Sequence, residues 1–437
     1  MGYKTLCFGL TCILFAYYIY TPIPENIEEP WKVRTIDAAI KITSLMATLL
    51  EKIGLKRFDE LFSMLMKLDY TLPISDENVT VMDITFSDIP VRLYLPKRKS
   101  ASQRPAVIFV HGGAFVLGSC KLAALDLLNR QTAKNLGAVV VGVEYFRCRL
   151  LLFSLPVASD PVATPWTAAF QAFLSFTNFC YRLGHQYQFP VAHEDVVSVV
   201  KFFLQDKILA KYGVDPARVC ISGDSAGGLI AAAVAQLIQN DPEFKNKLKA
   251  QALIYPSLQV IDIAIPSQRE NEHGLILSKK LGIELACLYL TQDKALPQAM
   301  MKNQHMPHGS RHLFKLVDWS IFLPEKYKKN HVYAEPILGR LNPSYSALLD
   351  SRLSPLAVND SQLQNLPLTY ILTCQYDLIR DDGLMYVSRL QNVGVKVSHD
   401  HMEDGIHGAL SFMASPINLQ LGIRIKDKYI NWLEENL

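Results

Sequence analysis

The sequence predicts an α/β fold: a mostly parallel central sheet with helices on both faces and a helical lid. Three observations predict it. Ala106-Val107-Ile108-Phe109-Val110 and Ala138-Val139-Val140-Val141-Gly142-Val143 are unbroken apolar runs, the pattern that parallel strands buried on both faces require. Strand-like and helix-like stretches alternate through much of residues 76–437, as an open sheet with crossover helices demands. Between Pro256 and Pro367 that alternation stops, and polar, Pro-bearing chain with short helices takes over. In an α/β fold such a stretch covers the carboxyl ends of the strands, where ligands bind.

The elements follow in order. Residues 1–24 hold an apolar run from Leu6 to Tyr20 behind the single charge of Lys4, the shape of a secretory signal. No small-x-small cleavage site follows Ala16, so the run is expected to stay as a signal-anchor, and the positive-inside tendency puts the remaining chain in the lumen. A cleaved signal and a secreted chain is the alternative. Residues 25–75 carry apolar residues at helical spacing, among them Val33, Ile36, Ile40, Leu45, Leu49, Ile53, Leu61, Leu65 and Leu68, which predicts N-terminal lid helices. Strands are expected from Val79 and at Ile89–Pro96, 106–110, 138–143, Arg218–Ser222, Ala250–Tyr255, Leu368–Cys374 and Val395–His399. Helices are expected at Leu122–Leu136, Lys201–Lys211, Leu229–Gln239, Gly383–Asn392 and Leu421–Leu433. Residues 257–366 form the second part of the lid, so one catalytic-size domain spans 76–437.

Composition removes several classes of function. Lys plus Arg is 44 against Asp plus Glu 41, a net charge of +3 over 437 residues, far from the basic excess that nucleic-acid binding needs. Half the residues are hydrophobic and only 19% are charged, too apolar for a disordered chain and suited to membrane contact. The eight cysteines include no C-x-x-C pair, which leaves no zinc or redox motif. His305, His308 and His312 fall close together in the lid, but no carboxylate or cysteine completes a tetrahedral set. They are expected to be solvated lid residues, and neither a metal nor an organic cofactor is called for. Asn78-Val79-Thr80 and Asn359-Asp360-Ser361 are glycosylation acceptors in a chain that enters the secretory route.

The chemistry is carried by four segments. Gly223-Asp224-Ser225-Ala226-Gly227-Gly228 lies between a short strand and an Ala-rich helix. A serine at a strand-to-helix turn needs flanking glycines to fit there, and it stands at a helix N-terminus, where developing negative charge is favoured. His111-Gly112-Gly113-Ala114-Phe115 follows strand 106–110, where a loop can turn backbone N–H groups towards an oxyanion. A serine nucleophile also needs a base and an acid, in the chain order Ser, acid, His for this architecture. Asp377 comes just past one strand end, and His407 follows another between Ile406 and Gly408. Asp381 and Asp382 are expected as helix-start residues, and Asp404 as a turn former.

HGGA-F, GDSAGG, LPLTYILTCQYDLIRDDG and DGIHGALSF, in that order, resemble the hormone-sensitive-lipase family of α/β-hydrolases, and within it the arylacetamide deacetylase group. The resemblance covers nearly the whole chain. It implies an α/β-hydrolase fold with Ser225 as nucleophile, His407 as general acid and base, and Asp377 orienting His407. It also implies an oxyanion hole made by backbone amides of Gly113, Ala114 and Ala226. Enzymes of that group are held in the endoplasmic-reticulum membrane facing the lumen and hydrolyse esters or amides. A small hydrophobic ester, amide or lipid substrate, taken in lipid metabolism, is therefore the expected partner, together with the membrane.

Three departures from the family pattern qualify this. Most of the family has a third glycine where this chain has Ala114, and a positive φ there costs a methyl-bearing residue about 1 kcal/mol. The arylacetamide deacetylase pattern pairs a cysteine at the position of Val116 with one matching Cys374; here Cys374 is expected to be free or to reach Cys120. Residues 146–181 interrupt a motif that otherwise runs from Val143-Glu144-Tyr145 to Arg182-Leu183-Gly184, so an insertion is expected. The main expectation is a serine carboxylesterase or deacetylase; the alternative is a catalytically impaired ligand- or partner-binding protein on the same fold.

Overall fold

The computed structural model describes residues 3–98, 100, 102–145, 188–339, 343–414 and 416–437; the expected insertion at 146–181 lies outside them. Eight strands form one sheet: β1 (Val79–Phe86), β2 (Ile89–Pro96), β3 (Arg104–Val110), β4 (Val139–Val143), β5 (Val214–Asp224), β6 (Ala250–Ile254), β7 (Leu368–Tyr376) and β8 (Val397–Ile406). Their order is β1-β2-β4-β3-β5-β6-β7-β8. β1 pairs with β2, and β2 with β4, in antiparallel fashion, while every neighbour from β4 to β8 is parallel. β1 and β2 are joined through Ser87 and Asp88, both at positive φ, the geometry of a two-residue hairpin whose twist matches its strands.

The chain runs from β3 outward to β4 and then returns to place β5 on the other side of β3. That reversal opens a crevice at the carboxyl ends of β3 and β5, the place where open α/β sheets bind ligands. All five residues of β4 and all five of β6 are buried, because helices cover both faces. The helix Ala226–Asn240 fills one face: most of its side chains are buried, five of them alanines that let it lie close on the sheet. The helices Ala123–Leu136 and Gln420–Asn436 cover the other, with Tyr429 against Phe109.

The two segments expected to form the lid are both largely helical. Pro30–Lys52 and Phe58–Lys67 are helices, and residues 257–366 contribute the helices Lys279–Leu290 and Ala295–Met301 with several single turns. One expectation is corrected: Lys201–Lys211 is two helices, Val191–Phe203 and Asp206–Tyr212. The Lys247 ammonium takes the Leu204 carbonyl at 3.2 Å and the Asp206 carboxylate at 2.8 Å, and Gln205 is extended between them. A distant lysine thus captures a carbonyl that a continuous helix would have used.

At the N-terminus the apolar run forms a helix, Tyr3–Ile19, with Leu6, Phe8, Leu10, Ile13 and Leu14 exposed. Among the described residues no helix is long and apolar enough to cross a membrane. Cys120 and Cys374 are both buried and free, so the alternative in which they pair does not hold. Cys120 packs against the Gly142 carbonyl instead.

Candidate active site

β5 ends at Asp224 and a helix begins at Ala226, so the chain must reverse at Ser225. It does so at φ 55°, ψ −123°, a conformation that costs an L-residue about 1–3 kcal/mol and persists only where its surroundings enforce it. Two glycines make the turn possible. A Cβ on Gly227 would lie 2.2 Å from the Val110 carbonyl oxygen, and one on Gly223 would lie 2.4 Å from the Gly227 carbonyl oxygen. The Ser225 N–H donates to the Ile254 carbonyl at 3.0 Å, which ties the turn to β6.

Asp377 directly follows β7, and His407 directly follows β8. Ser225 Oγ lies 2.9 Å from His407 Nε2, and His407 Nδ1 lies 2.9 Å from Asp377 Oδ2. Asp377 is fully buried, and its second oxygen accepts the Ile379 N–H at 2.9 Å. With Nδ1–H donating to the carboxylate, Nε2 is left to accept the serine proton; this tautomer follows from the hydrogen-bond network. The Tyr255 ring packs 5.0 Å from the imidazole.

The loop after β3 faces the same point. Gly113, Ala114 and Phe115 all have positive φ, at 121°, 50° and 67°, and the N–H groups of Val116 and Leu117 both donate to the Gly113 carbonyl. A Cβ on Gly113 would lie 2.1 Å from the Leu117 carbonyl oxygen. Among the described residues the N–H groups of Gly113, Ala114 and Ala226 carry no hydrogen bond. Ala114 therefore takes the left-handed conformation that the sequence only raised as a condition. His111 stacks on Tyr145, with ring centroids 4.3 Å apart, and the Tyr145 hydroxyl donates to the His111 carbonyl. Burial holds the His111 imidazole below its ordinary pKa.

Asp224 joins the two halves. The Gly112 N–H donates to its Oδ1 at 2.8 Å, so the loop after β3 is fastened to the residue before Ser225. Burial pushes the Asp224 carboxyl up to about 6, against the lowering effect of that N–H and of His407. Phe115 anchors the far side of the loop by stacking on Tyr289 of the lid at 4.9 Å.

Ser225 and His407 stand in the wall of a cavity of about 450 Å³. Ile36, Ile40 and Phe62 from the N-terminal lid helices and Leu281, Leu285 and Met300 from the second lid segment give it apolar walls. These wall positions escaped the sequence reading, because a helical period shows that a helix has an apolar face without saying what that face meets. Two other readings are corrected. Asp381 and Asp382 do sit in the first turn of the helix Arg380–Asn392, but they are buried struts. Asp382 accepts Leu258 N–H at 3.0 Å and the Gln259 amide at 2.9 Å, and Asp381 accepts Ser267 N–H at 2.7 Å. Asp404 lies within β8 and pairs with Arg424.

The lid histidines do not form a set. His305 is fully buried rather than solvated, with Nε2 against the Val260 carbonyl at 2.6 Å and its pKa brought down by burial to about 4. His312 is exposed, and among the described residues no group of histidine, cysteine and carboxylate side chains is arranged to hold a metal ion. Asn78 is half-exposed just before β1, and Asn359 is exposed as the cap of a short helix.

A family model described as alpha/beta hydrolase fold matches residues 158–307 and 315–411. The chain is 56% identical over its whole length, and the whole length of the relative, to arylacetamide deacetylase-like 2 of Homo sapiens. It is 44% identical, again over all of both chains, to arylacetamide deacetylase of Oryctolagus cuniculus. Among solved structures, the hyperthermophilic esterase of the archaeon Pyrobaculum calidifontis superposes with a TM-score of 0.56 at 21% identity, over 95% of this chain and 99% of that one. That likeness speaks for the fold. The chain belongs to the α/β-hydrolase family, in the arylacetamide deacetylase group of its hormone-sensitive-lipase-like branch, a family of carboxylic ester hydrolases.

Proposed function

We propose that the chain is a serine carboxylesterase and deacetylase that cleaves hydrophobic acyl esters or amides through an acyl-enzyme. The observation that carries this reading is the chain of contacts Ser225 Oγ to His407 Nε2 and His407 Nδ1 to Asp377 Oδ2, each at 2.9 Å, in the wall of an apolar cavity. Ser225 attacks the acyl carbonyl while His407 takes its proton, and buried Asp377 stabilises the imidazolium that forms. The unused N–H groups of Gly113, Ala114 and Ala226 receive the oxyanion. His407 then protonates the departing alcohol or amine, and water repeats the sequence to release the acid.

The same reading places the chain at the endoplasmic-reticulum membrane as a single-pass type II protein with a lumenal catalytic domain, glycosylated at Asn78 and Asn359. An apolar surface supports membrane contact. Ile42, Met46 and Leu49 are exposed along one side of the helix Pro30–Lys52, with Ile53 exposed just past its end, and Leu65, Leu68 and Leu72 are exposed as well; exposed apolar residues in such numbers mark interaction surfaces. The helix Tyr3–Ile19 adds a second apolar element.

A fluorophosphonate probe tests the proposal on three forms of the chain: intact, Ser225→Ala, and lacking residues 146–181. Labelling of the intact chain that Ser225→Ala abolishes is the expected result. Labelling only after the deletion makes the intact chain an impaired, binding-type member of the fold. No labelling in any form contradicts the hydrolase reading.

A further inference from the structure

Among the described residues, the lining of the cavity beside Ser225 includes a buried polar atom with no hydrogen-bond partner. Of its two glutamines, Gln259 is fully occupied. Its Nε2 donates to the Asp262 carbonyl and to Asp382 Oδ1, and its Oε1 accepts the N–H groups of Ile261 and Asp262. Gln268 lines the same cavity, is 6% exposed, and its Oε1 is buried with no hydrogen-bond partner among the described residues. Buried polar atoms are rarely left unpaired, and each exception asks for an explanation.

The residue is also held in place. It sits in the single turn Pro266–Glu270, which is strapped to the segment carrying Asp377 on three sides. Ser267 N–H donates to Asp381 at 2.7 Å, Ser267 Oγ donates to the Leu378 carbonyl at 2.9 Å, and Asn271 Nδ2 donates to the Asp377 carbonyl at 3.2 Å. These bonds fix the backbone that carries Gln268 against the loop bearing Asp377, so its side chain is presented to the cavity from a rigid base.

Taking Ser225 as the nucleophile, we infer that Gln268 is a specificity residue that receives a hydrogen-bond donor, an alcohol O–H or an amide N–H, carried by an otherwise apolar acyl substrate. The contact selects among hydrophobic esters and amides: a substrate lacking the donor leaves the Gln268 oxygen buried and unpaired. Rotation of the amide exchanges its oxygen and nitrogen, and a hydroxyl answers either orientation because it both donates and accepts.

The test compares kcat/KM for two matched pairs. One pair is a 1-monoacylglycerol and the same molecule with both hydroxyls methylated. The other is an N-aryl acetamide and its N-methyl analogue. The intact enzyme is expected to prefer the donor-bearing member in at least one pair, and the pair that shows the preference identifies the source of the donor. In Gln268→Leu that preference falls by about 3- to 10-fold, the worth of one hydrogen bond. Gln268→Met serves the same purpose where the leucine variant does not fold. Fluorophosphonate labelling of each variant shows that the nucleophile is assembled, and its loss in Ser225→Ala tests the underlying reading separately. No preference in the intact enzyme, or a preference unchanged in a variant that still labels, overturns the proposal.

Discussion

Ser225 and Ala114 are both non-glycine residues at positive φ within the same site. On the proposed mechanism, Ser225 carries the strain because its side chain is the nucleophile, while Ala114 would contribute only its N–H and carry a methyl with no part in the reaction. Replacing it by glycine removes a cost of about 1 kcal/mol, partly offset by the greater freedom of glycine in the unfolded chain. Ala114→Gly is therefore expected to raise the thermal midpoint by no more than about 1 °C and to label at least as fast as the parent. Gly113→Ala is the opposite case, since its Cβ would meet the Leu117 carbonyl carbon and oxygen at 2.5 and 2.1 Å. It is expected to lower the rate of fluorophosphonate labelling by at least about 100-fold, the scale of losing an oxyanion contact, and an unchanged rate would mean that this loop does not hold the oxyanion. The positions of Ser225, Asp377 and His407 were legible because each follows a strand and the chain order Ser, acid, His suits the architecture. Gln268 was not legible, because nothing local distinguishes it from a solvated glutamine; only the packing of its turn against the Asp377 loop does.

Among the elements, the strap between the lid and the helix Arg380–Asn392 depends on a buried carboxyl. Asp382 holds Leu258 and Gln259, and burial pushes its carboxyl up to about 7 from an ordinary value of 3.8. The folded chain thus binds this proton more tightly than the unfolded chain does. The associated stability is present below about pH 4 and is lost as pH rises through about 7. Asp382→Asn cannot lose a proton, so the thermal midpoint of the parent should fall relative to this variant between pH 5 and pH 8, by about 2 °C or more. Parallel curves in a calorimetric series would show that Asp382 keeps its charge state across that range. The strand pattern was readable at this scale because buried strands must be apolar throughout. The break at Leu204 and Gln205 was not, because it depends on Lys247, which lies 43 residues further on and captures the Leu204 carbonyl.

For the whole molecule, exposed Met46 and Leu49 stand on the helix Pro30–Lys52, whose Ile36 and Ile40 line the cavity. On the proposed function, a membrane seated against them would meet the lid through which an apolar substrate would enter. Removal of residues 1–24 is expected to weaken flotation of the protein with lipid vesicles without abolishing it, whereas loss of all binding would assign membrane contact to the first segment alone. In cells with a secretory pathway, an endoglycosidase-sensitive shift in mass that disappears in the Asn78→Gln, Asn359→Gln double variant is expected for a lumenal chain. No shift would put the catalytic domain on the other side of the membrane.

The central claim is that an acyl group passes through Ser225. Peptide mapping by mass spectrometry, after rapid acid quench of a reaction with 4-nitrophenyl acetate, tests it most directly. The account predicts one acetyl group on Ser225 in the intact chain and none in Ser225→Ala. Ester turnover with no acetyl on Ser225, or turnover that continues undiminished in Ser225→Ala, would contradict it.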